Sequence, residues 1–364
     1  MKFTFIISKF GKGGMEKVLY NLCSALKKKS IDIEIITFYI NKDNNNILKQ
    51  FKEFNVIYKP LYVPRINDKQ RNLFSSFIKF FNSIYFLKRY IKLNNNNIIV
   101  ALDPWAIDSC IIAKGFKKLP KIYGWLHFPI DVYSKHKLWK IHKFFIKRLN
   151  GILAICNGIK SQLVNEGIDE NKILISYNPM GFLKDFYIKE ALNPTFIYVG
   201  RLKNQPKRLD LLLDAFSKLK KYNWKVKIIG DGEDKEYLEE LAKTKGINHR
   251  IEWCGFIDDP WSFIHEATAL LLTSDYEGFP TVLIEANWYG IPVISTDCPT
   301  GPKEIVVEGL NGTLVKKGNS EDLAEKIKKV IRGEIKFATK EEIRKTTERY
   351  HSDYVVEKIL DFIN

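Results

Sequence analysis

The hydrophobic positions of the chain fall into short β-branched runs, each followed by a turn and then by a helix-like pattern. In the first half these runs occupy residues 2–10, 31–40, 97–102, 121–128, 151–156 and 172–180. In the second half they occupy residues 195–200, 224–232, 250–256, 268–274 and 291–297. Between them, segments such as 15–29, 209–221 and 234–246 repeat their apolar residues at helical spacing. The pattern predicts an α/β protein with two doubly wound parallel sheets.

The length of 364 residues also indicates two domains, because single cores rarely grow past about 250 residues. We predict an N-terminal domain at 1–180 and a C-terminal domain at 181–342, facing each other across a cleft. The interdomain linker is expected around Gly181 to Pro194. The last segment, residues 343–364, has a helical period and is expected to pack back on the N-terminal domain.

The net charge of +16 is distributed unevenly. Residues 1–180 contain 30 basic and 12 acidic side chains, whereas residues 181–364 contain 28 and 30. A basic domain attracts polyanions, such as nucleic acid, anionic lipid headgroups or a phosphorylated glycan. The plainer interpretation is a solubilising surface in a Lys-rich and Asn-rich chain.

The apolar part of the opening MKFTFIISKF is too short for a signal peptide, and no run approaches the roughly 18 apolar residues of a membrane-spanning helix. We therefore expect a cytoplasmic protein. The five scattered cysteines include no C-x-x-C pair, so a disulfide framework and a zinc site are not indicated.

The most informative segment for chemistry is SDYEGFPTVLIEANWYGIPVIS at 274–295. Glu277 is followed by Gly278 and Pro280, and a helical pattern begins at Thr281. Seven residues separate Glu277 from Glu285. A helix start there would suit an anionic group, and the two carboxylates are expected to hold different parts of one long ligand. Alternatively, they are an acidic first turn and a glutamate that faces solvent.

A second segment, YVGRLKNQPKRLD, places Arg201, Lys203, Lys207 and Arg208 directly after a strand. Cations at the carboxyl end of a parallel strand can neutralise a diphosphate, although a solvated basic loop is the alternative interpretation. The chain contains no D-x-D triplet. We therefore predict no metal and no other cofactor.

Together these segments resemble the GT-B glycosyltransferases of family GT4 over nearly the whole chain. The resemblance rests on Glu277 and Glu285 as the E-x7-E motif, on Gly200–Leu202 with Lys207, and on Gly13–Glu16 as G-G-x-E. More narrowly, five segments are similar to segments of bacterial lipopolysaccharide 1,6-galactosyltransferases: WLHFPID, GRLKNQPKR, LLLTSDYEGFP, YGIPVIS and CPTGPKEI.

The resemblance implies a retaining transferase that uses a UDP-sugar, with UDP-galactose or UDP-glucose favoured. Its catalytic residues would be His127, Glu277, Arg201 and Lys207. Its donor-binding residues would be Gly13, Gly14, Gly255, Phe256, Ile257, Gly278, Phe279, Pro280, Thr281 and Glu285, with Glu285 on the ribose. Lys207 lies six residues after Arg201 where many members show five, so Lys203 or Arg208 remain open as the phosphate ligand. Without the resemblance, His127 would be interpreted as a satisfied core histidine.

The acceptor implied is a glycan or glycolipid of the cell surface. The aromatic and lysine-bearing segments at 74–93 and 138–149 favour peripheral contact with an anionic membrane, although Phe77, Phe81 and Ile84 would also suit a helix packed on the sheet. Two other functions stay open from the residues alone. They are a basic nucleic-acid-binding module, which the placement of Glu277 and Glu285 argues against, and another GT-B enzyme such as an epimerase or a phosphorylase.

Overall fold

A computed structural model describes residues 1–10, 14–40, 51–58, 74–127, 130–135 and 137–364. The chain forms two compact units. The N-terminal unit comprises Met1–Gly181 and Ser352–Asn364, and the C-terminal unit comprises Phe182–His351.

The N-terminal unit is built on a seven-stranded parallel sheet of order β3-β2-β1-β4-β5-β6-β7. Its strands are β1 (Lys2–Phe10), β2 (Asp32–Ile40), β3 (Asn55–Tyr58), β4 (Ile98–Ala101), β5 (Ile122–Leu126), β6 (Gly151–Ala154) and β7 (Ile173–Ile175). Its helices are α1 (Gly14–Lys28), α2 (Phe74–Leu93), α3 (Pro104–Lys114), α4 (Ile130–Tyr133), α5 (Trp139–Ile146) and α6 (Asn157–Asn165). The strand order reverses direction beside β1, which is the switch point where doubly wound sheets bind ligands.

The C-terminal unit has a six-stranded parallel sheet of order β11-β10-β9-β13-β14-β15, with a small β12-β8 pair beside it. Its strands are β8 (Lys189–Glu190), β9 (Thr195–Val199), β10 (Lys225–Ile229), β11 (Ile251–Gly255), β12 (Glu266–Ala267), β13 (Ala269–Leu272), β14 (Val293–Thr296) and β15 (Gly312–Val315). Its helices are α7 (Asn204–Lys207), α8 (Leu209–Ser217), α9 (Lys235–Thr244), α10 (Pro260–Phe263), α11 (Thr281–Trp288), α12 (Pro302–Ile305), α13 (Ser320–Ile331) and α14 (Lys340–Lys345).

The final helix, α15 (Ser352–Ile363), packs on the sheet of the N-terminal unit. Gly151 makes room for it, because a Cβ there would lie 2.7 Å from the Phe362 ring. The Tyr123 hydroxyl and the Lys121 ammonium both donate to the carbonyl oxygen of Ile363 (3.3 and 3.0 Å). These bonds satisfy a carbonyl at the helix end that has no partner within the helix.

The predicted return of residues 343–364 as one helical segment is wrong for its first part. Residues 343–351 belong to the C-terminal unit, where α14 ends at Lys345 and a 3₁₀ turn covers Glu348–Tyr350. The Arg344 guanidinium donates to the carbonyl oxygens of Trp288 and Phe186 (both 2.6 Å) and anchors α14 there. None of the helices within the described ranges is both long and apolar enough to cross a bilayer.

The helix that matters most for the site, α8, is fixed by its apolar stripe. Leu209, Leu212, Leu213 and Phe216 recur at helical spacing and are all fully buried. Phe216 packs against Phe196 of β9, with ring centroids 5.5 Å apart. Leu209, the first residue of α8, is buried in the same core cluster as Tyr198 near the end of β9, so the basic loop between them lies at the carboxyl end of β9.

Candidate functional site

The site forms where the loops after two adjacent strands, β9 and β13, meet at the carboxyl edge of the C-terminal sheet. Glycine makes the first of these loops possible. The Gly200 amide donates to the carbonyl oxygen of Ile229 (3.0 Å), and a Cβ on Gly230 would lie only 1.8 Å from the Gly200 oxygen. No side chain fits in that space, so Gly230, at φ 149°, lets the loop after β9 cross close over β10.

Lys207 and Glu277 form an ion pair at the centre of this region. Lys207 Nζ lies 2.7 Å from Glu277 Oε1, and the glutamate side chain keeps only 13% of its surface exposed. The two residues are 70 positions apart in sequence. The fold therefore brings together one cation and one carboxylate that the sequence analysis placed in the site separately.

Two further contacts hold Glu277 in place. The Ser274 hydroxyl donates to the same oxygen, Oε1, at 2.6 Å, and the Thr300 hydroxyl donates to the Glu277 carbonyl oxygen. The Thr300 loop lies close because Gly301 adopts a φ of 92°, where a Cβ would be 2.6 Å from Pro280 Cδ. The carboxylate orientation is thus set by three loops, which allows a fixed charge to face a ligand.

Glu285 lies on α11 and is 93% buried, since its exposed fraction is 7%. Its Oε2 accepts a hydrogen bond from Trp261 Nε1 at 2.9 Å, and the Trp261 ring stacks on Tyr289. The alternative interpretation of a glutamate that faces solvent is therefore wrong. A buried carboxylate on a rigid helix is suited to accept hydrogen bonds from the hydroxyl groups of a ligand.

The remaining predicted donor-binding residues of this unit lie near these glutamates or in the turn at the end of β11. Gly278, Phe279 and Pro280 lead into α11, Phe279 is buried against the Tyr350 ring, and Thr281 begins the helix. Gly255 has a φ of 71°, with no described atom within 4 Å of the place where a Cβ would be. Phe256 is 73% exposed and Ile257 is half-buried. The turn thus offers an open apolar surface on which a nucleobase could stack.

The other cations of the basic loop have different surroundings. The Arg201 side chain is exposed, Lys203 pairs with the exposed Glu233 at 2.8 Å, and Arg208 is engaged by two carboxylates. Of the three open candidates, Lys207 is the one that contacts Glu277.

In the N-terminal unit, His127 follows β5 directly. The residue is half-buried, its ring lies 4.4 Å from that of Trp125, and its buried Nε2 has no hydrogen-bond partner among the described residues. Among the described residues, His127 is therefore not a core histidine whose ring nitrogens are all hydrogen-bonded. Gly14 begins α1 at an exposed position, whereas Gly13 lies outside the described residues.

Burial lowers the pKa of His127 from 6.5 to about 3. The unfolded chain then binds more protons than the folded one between about pH 3 and 6.5, so this histidine lowers the free energy of unfolding as pH falls through that window. Well above pH 6.5, where the unfolded histidine is neutral too, its contribution is constant.

Between pH 7 and pH 5, the free energy of unfolding of the wild type is expected to fall by about 2 kcal/mol more than that of His127→Gln. The reason is that glutamine takes up no proton. Urea unfolding of both proteins at the two pH values measures this difference. The same loss in both proteins would show that the His127 pKa is not depressed.

Three site residues were missed by the sequence analysis. Ser274 carried a local signal, because it lies three residues before Glu277. Thr300 and Trp261 carried none, since they lie 23 and 24 positions from the glutamates that they contact. Contacts at such separations depend on which strands are neighbours in the sheet.

Comparisons with known proteins identify the family of the chain. The family model "Glycosyltransferase Family 4" matches residues 12–180, and the model "Glycosyl transferases group 1" matches residues 184–349. The lipopolysaccharide 1,6-galactosyltransferase of Salmonella typhimurium is 33% identical over 90% of this chain and 88% of its own length. The chain therefore belongs to the GT4 family and is a glycosyltransferase of GT-B fold.

Within that family the chain is similar to the lipopolysaccharide 1,6-galactosyltransferases in particular. The Escherichia coli K12 protein of that description is 32% identical over 94% of this chain and 92% of its own. The solved apo structure of the lipopolysaccharide outer core galactosyltransferase WaaB superposes with a TM-score of 0.84 at 31% identity, covering 100% of this chain and 99% of that one. Anabaena HepE in complex with UDP-glucose shares the fold, with a TM-score of 0.80 at 18% identity and coverage of 100% and 99%. Membership of this family shows that the chain is an enzyme and not a nucleic-acid-binding module.

Proposed function

We propose that this glycosyltransferase moves a hexose from a UDP-sugar to a cell-surface glycan or glycolipid, with retention of the anomeric configuration and without a metal ion. The observation that carries the proposal is the Lys207–Glu277 pair at the carboxyl edge of the C-terminal sheet, followed by the buried Glu285 on the next helix. UDP-galactose is the first choice of donor because the two relatives described above are galactosyltransferases. Complexes of HepE with UDP and UDP-glucose support a uridine nucleotide.

Each residue has a role in this proposal. Glu285 accepts hydrogen bonds from the ribose hydroxyls, and the turn at Gly255–Ile257 faces the base. Arg201 and Lys207 bind the diphosphate, where fixed cations stabilise the negative charge that develops on the leaving group. Glu277 and the backbone at Gly278–Pro280 hold the sugar and the phosphates.

The proposed reaction exchanges two bonds at the sugar C1. The bond from the sugar C1 to the phosphate oxygen breaks, while a bond from C1 to the acceptor oxygen forms on the same face. The departing phosphate oxygen takes the acceptor proton, so the products are UDP and an α-glycoside when the donor is UDP-galactose. No separate base is needed, and catalysis comes from positioning and charge stabilisation. Neutral His127 would hydrogen-bond a hydroxyl of the sugar through Nε2.

A transfer assay tests this proposal. The purified protein is incubated in EDTA with a lipid-linked oligosaccharide acceptor and one donor at a time: UDP-galactose, UDP-glucose, a UDP-N-acetylhexosamine, a GDP-sugar or an ADP-sugar. Release of the nucleoside diphosphate and the anomeric configuration of the product are measured. We expect acceptor-dependent UDP release and an α-linked product. A β-linked product would exclude retention, activity only after Mg²⁺ or Mn²⁺ is added would exclude a metal-free reaction, and turnover only with GDP- or ADP-sugars would exclude the donor class.

We also propose that the N-terminal unit contacts anionic lipid. On α5, Ile141 and Phe144 are 51% and 50% exposed, and the Arg148 guanidinium lies 3.5 Å over the Phe144 ring. On α2, Phe81 is 63% exposed, so it does not pack on the sheet. Exposed apolar side chains among lysines favour an interfacial position, to which each cation contributes about 1 kcal/mol.

Changing Ile141 and Phe144 together to serine is expected to reduce binding to phosphatidylglycerol vesicles about tenfold or more, since both side chains would lose apolar contact with the lipid. Co-sedimentation at two salt concentrations measures the effect. Tyr237→Ser, which changes an exposed aromatic of the C-terminal unit, is the matched control. Equal binding by all three proteins would place the lipid contact elsewhere.

A further inference from the structure

Arg208, the residue after Lys207, adopts a left-handed backbone conformation with φ 53° and ψ 47°. Among the described residues other than glycine, it shares a positive φ only with Ser30. Such a conformation is unfavourable for a residue with a side chain and persists only when its surroundings hold it. The contacts that hold Arg208 therefore indicate which part of the structure depends on this strained conformation.

The Arg208 guanidinium bridges two carboxylates. Its Nε and Nη2 donate to the Asp210 carboxylate at 3.0 and 3.1 Å, and its Nη1 donates to both oxygens of Asp275 at 3.1 and 3.3 Å. All three nitrogens are thus engaged. Asp210 belongs to the first turn of α8, whereas Asp275 belongs to the loop after β13.

The backbone is fastened at the same place. The Thr273 hydroxyl donates to the Lys207 carbonyl oxygen (2.9 Å), and the Asp275 amide donates to the Pro206 carbonyl oxygen (2.9 Å). Lys207 precedes the bridging arginine by one residue, and Glu277 follows Asp275 by two. One bridge thus sets the position of both members of the Lys207–Glu277 pair.

We infer that Arg208 is a positioning residue for donor binding: its bridge to Asp210 and Asp275 fixes Lys207 and Glu277 against the diphosphate, and Arg208 does not bind the phosphates itself. The inference rests on the proposed function. It also explains how a lysine six residues after Arg201 reaches the site, because the loop that carries it is fastened at its last residues.

Arg208→Gly tests the inference directly, since glycine adopts the left-handed conformation without strain but cannot form the bridge. We expect an unchanged or higher melting temperature, together with an increase of about tenfold in the Kd for UDP and the KM for the UDP-sugar and a smaller change in kcat. Arg208→Lys keeps the charge but cannot span two carboxylates with a planar fork, so it is expected to restore less than half of the lost affinity.

Asp275→Ala separates positioning from direct phosphate binding. The inference predicts the same loss of UDP affinity as in Arg208→Gly, and a double variant no weaker than either single variant. If Arg208 instead bound phosphate, Asp275→Ala would release it and leave the UDP affinity unchanged or improved, which would overturn the inference.

Two other results would also overturn it. One is wild-type UDP affinity in a folded Arg208→Gly variant. The other is a large fall in melting temperature for Arg208→Gly with wild-type KM in Arg208→Lys, which would mean a purely structural role. The wild type in the same titration keeps the two proposals distinguishable, because a wild type that binds no UDP would refute the donor site as well.

Discussion

Lys207→Ala is expected to lower kcat/KM for the UDP-sugar by about 10³-fold. The substitution removes a cation that stabilises the departing diphosphate, and loss of one such group typically costs about 10²–10³ in rate. It also leaves Glu277, which is 13% exposed, with no ammonium at 2.7 Å and facing an anionic ligand. Both effects oppose the transition state, so kcat should fall together with kcat/KM.

Steady-state measurement of UDP release checks this prediction. Lys207→Arg keeps the charge and is expected to retain more activity than alanine. Glu277→Gln should cost less activity in the Lys207→Ala background than in the wild type, since it neutralises a carboxylate that has lost its ammonium partner. Lys203→Ala, which breaks an exposed pair with Glu233, is expected to change kcat/KM less than threefold. A Lys207→Ala variant within threefold of wild type would remove Lys207 from the site.

Glu285→Ala is expected to weaken UDP binding about 100-fold, since two charge-assisted hydrogen bonds to the ribose would be lost, each contributing about 1.5 kcal/mol or more. The variant should also lose about 1–3 kcal/mol of stability, because the buried Trp261 Nε1 loses the acceptor at 2.9 Å. Isothermal titration with UDP and urea unfolding measure the two effects separately.

Glu285→Gln and Trp261→Phe distinguish binding from stability. Glutamine still offers Trp261 an oxygen acceptor but has no charge, so UDP binding should weaken about tenfold with little loss of stability. Trp261→Phe removes only the indole donor, and its UDP affinity should stay within a few-fold of wild type. If Trp261→Phe weakened UDP binding as much as Glu285→Ala, the role of Glu285 would be structural.

Much of the fold could be predicted from the sequence, because buried parallel strands are continuous apolar runs. The strands that were not predicted include the edge strands β3 (Asn55–Tyr58) and β15 (Gly312–Val315), which have only four residues each. Each of these two strands lies at an edge of its sheet and has a single neighbouring strand. Pairing with β2 and β14 creates these strands.

The candidate site likewise has features that local sequence predicts and features that it does not. The spacing of Glu277 and Glu285 and the cations after β9 are local features, and so is the resemblance of these segments to the GT4 family. Local sequence left open which cation meets Glu277, because Lys203, Lys207 and Arg208 lie within six positions of each other. In the structure it is Lys207 that pairs with Glu277, and the neighbouring bridge from Arg208 to Asp275 spans 67 positions.

Apolar periodicity and motif spacing, which act over a few turns of chain, were therefore sufficient to predict the class of fold and the family, and they named the candidate site residues. The three-dimensional structure was needed to show that Lys207 pairs with Glu277, that Glu285 is buried against Trp261, and that the return to the N-terminal unit begins at Ser352. The reason is that these contacts depend on which strands are neighbours in the sheet. β9 lies beside β13 in the sheet, and side chains distant in sequence are brought together at the ends of neighbouring strands.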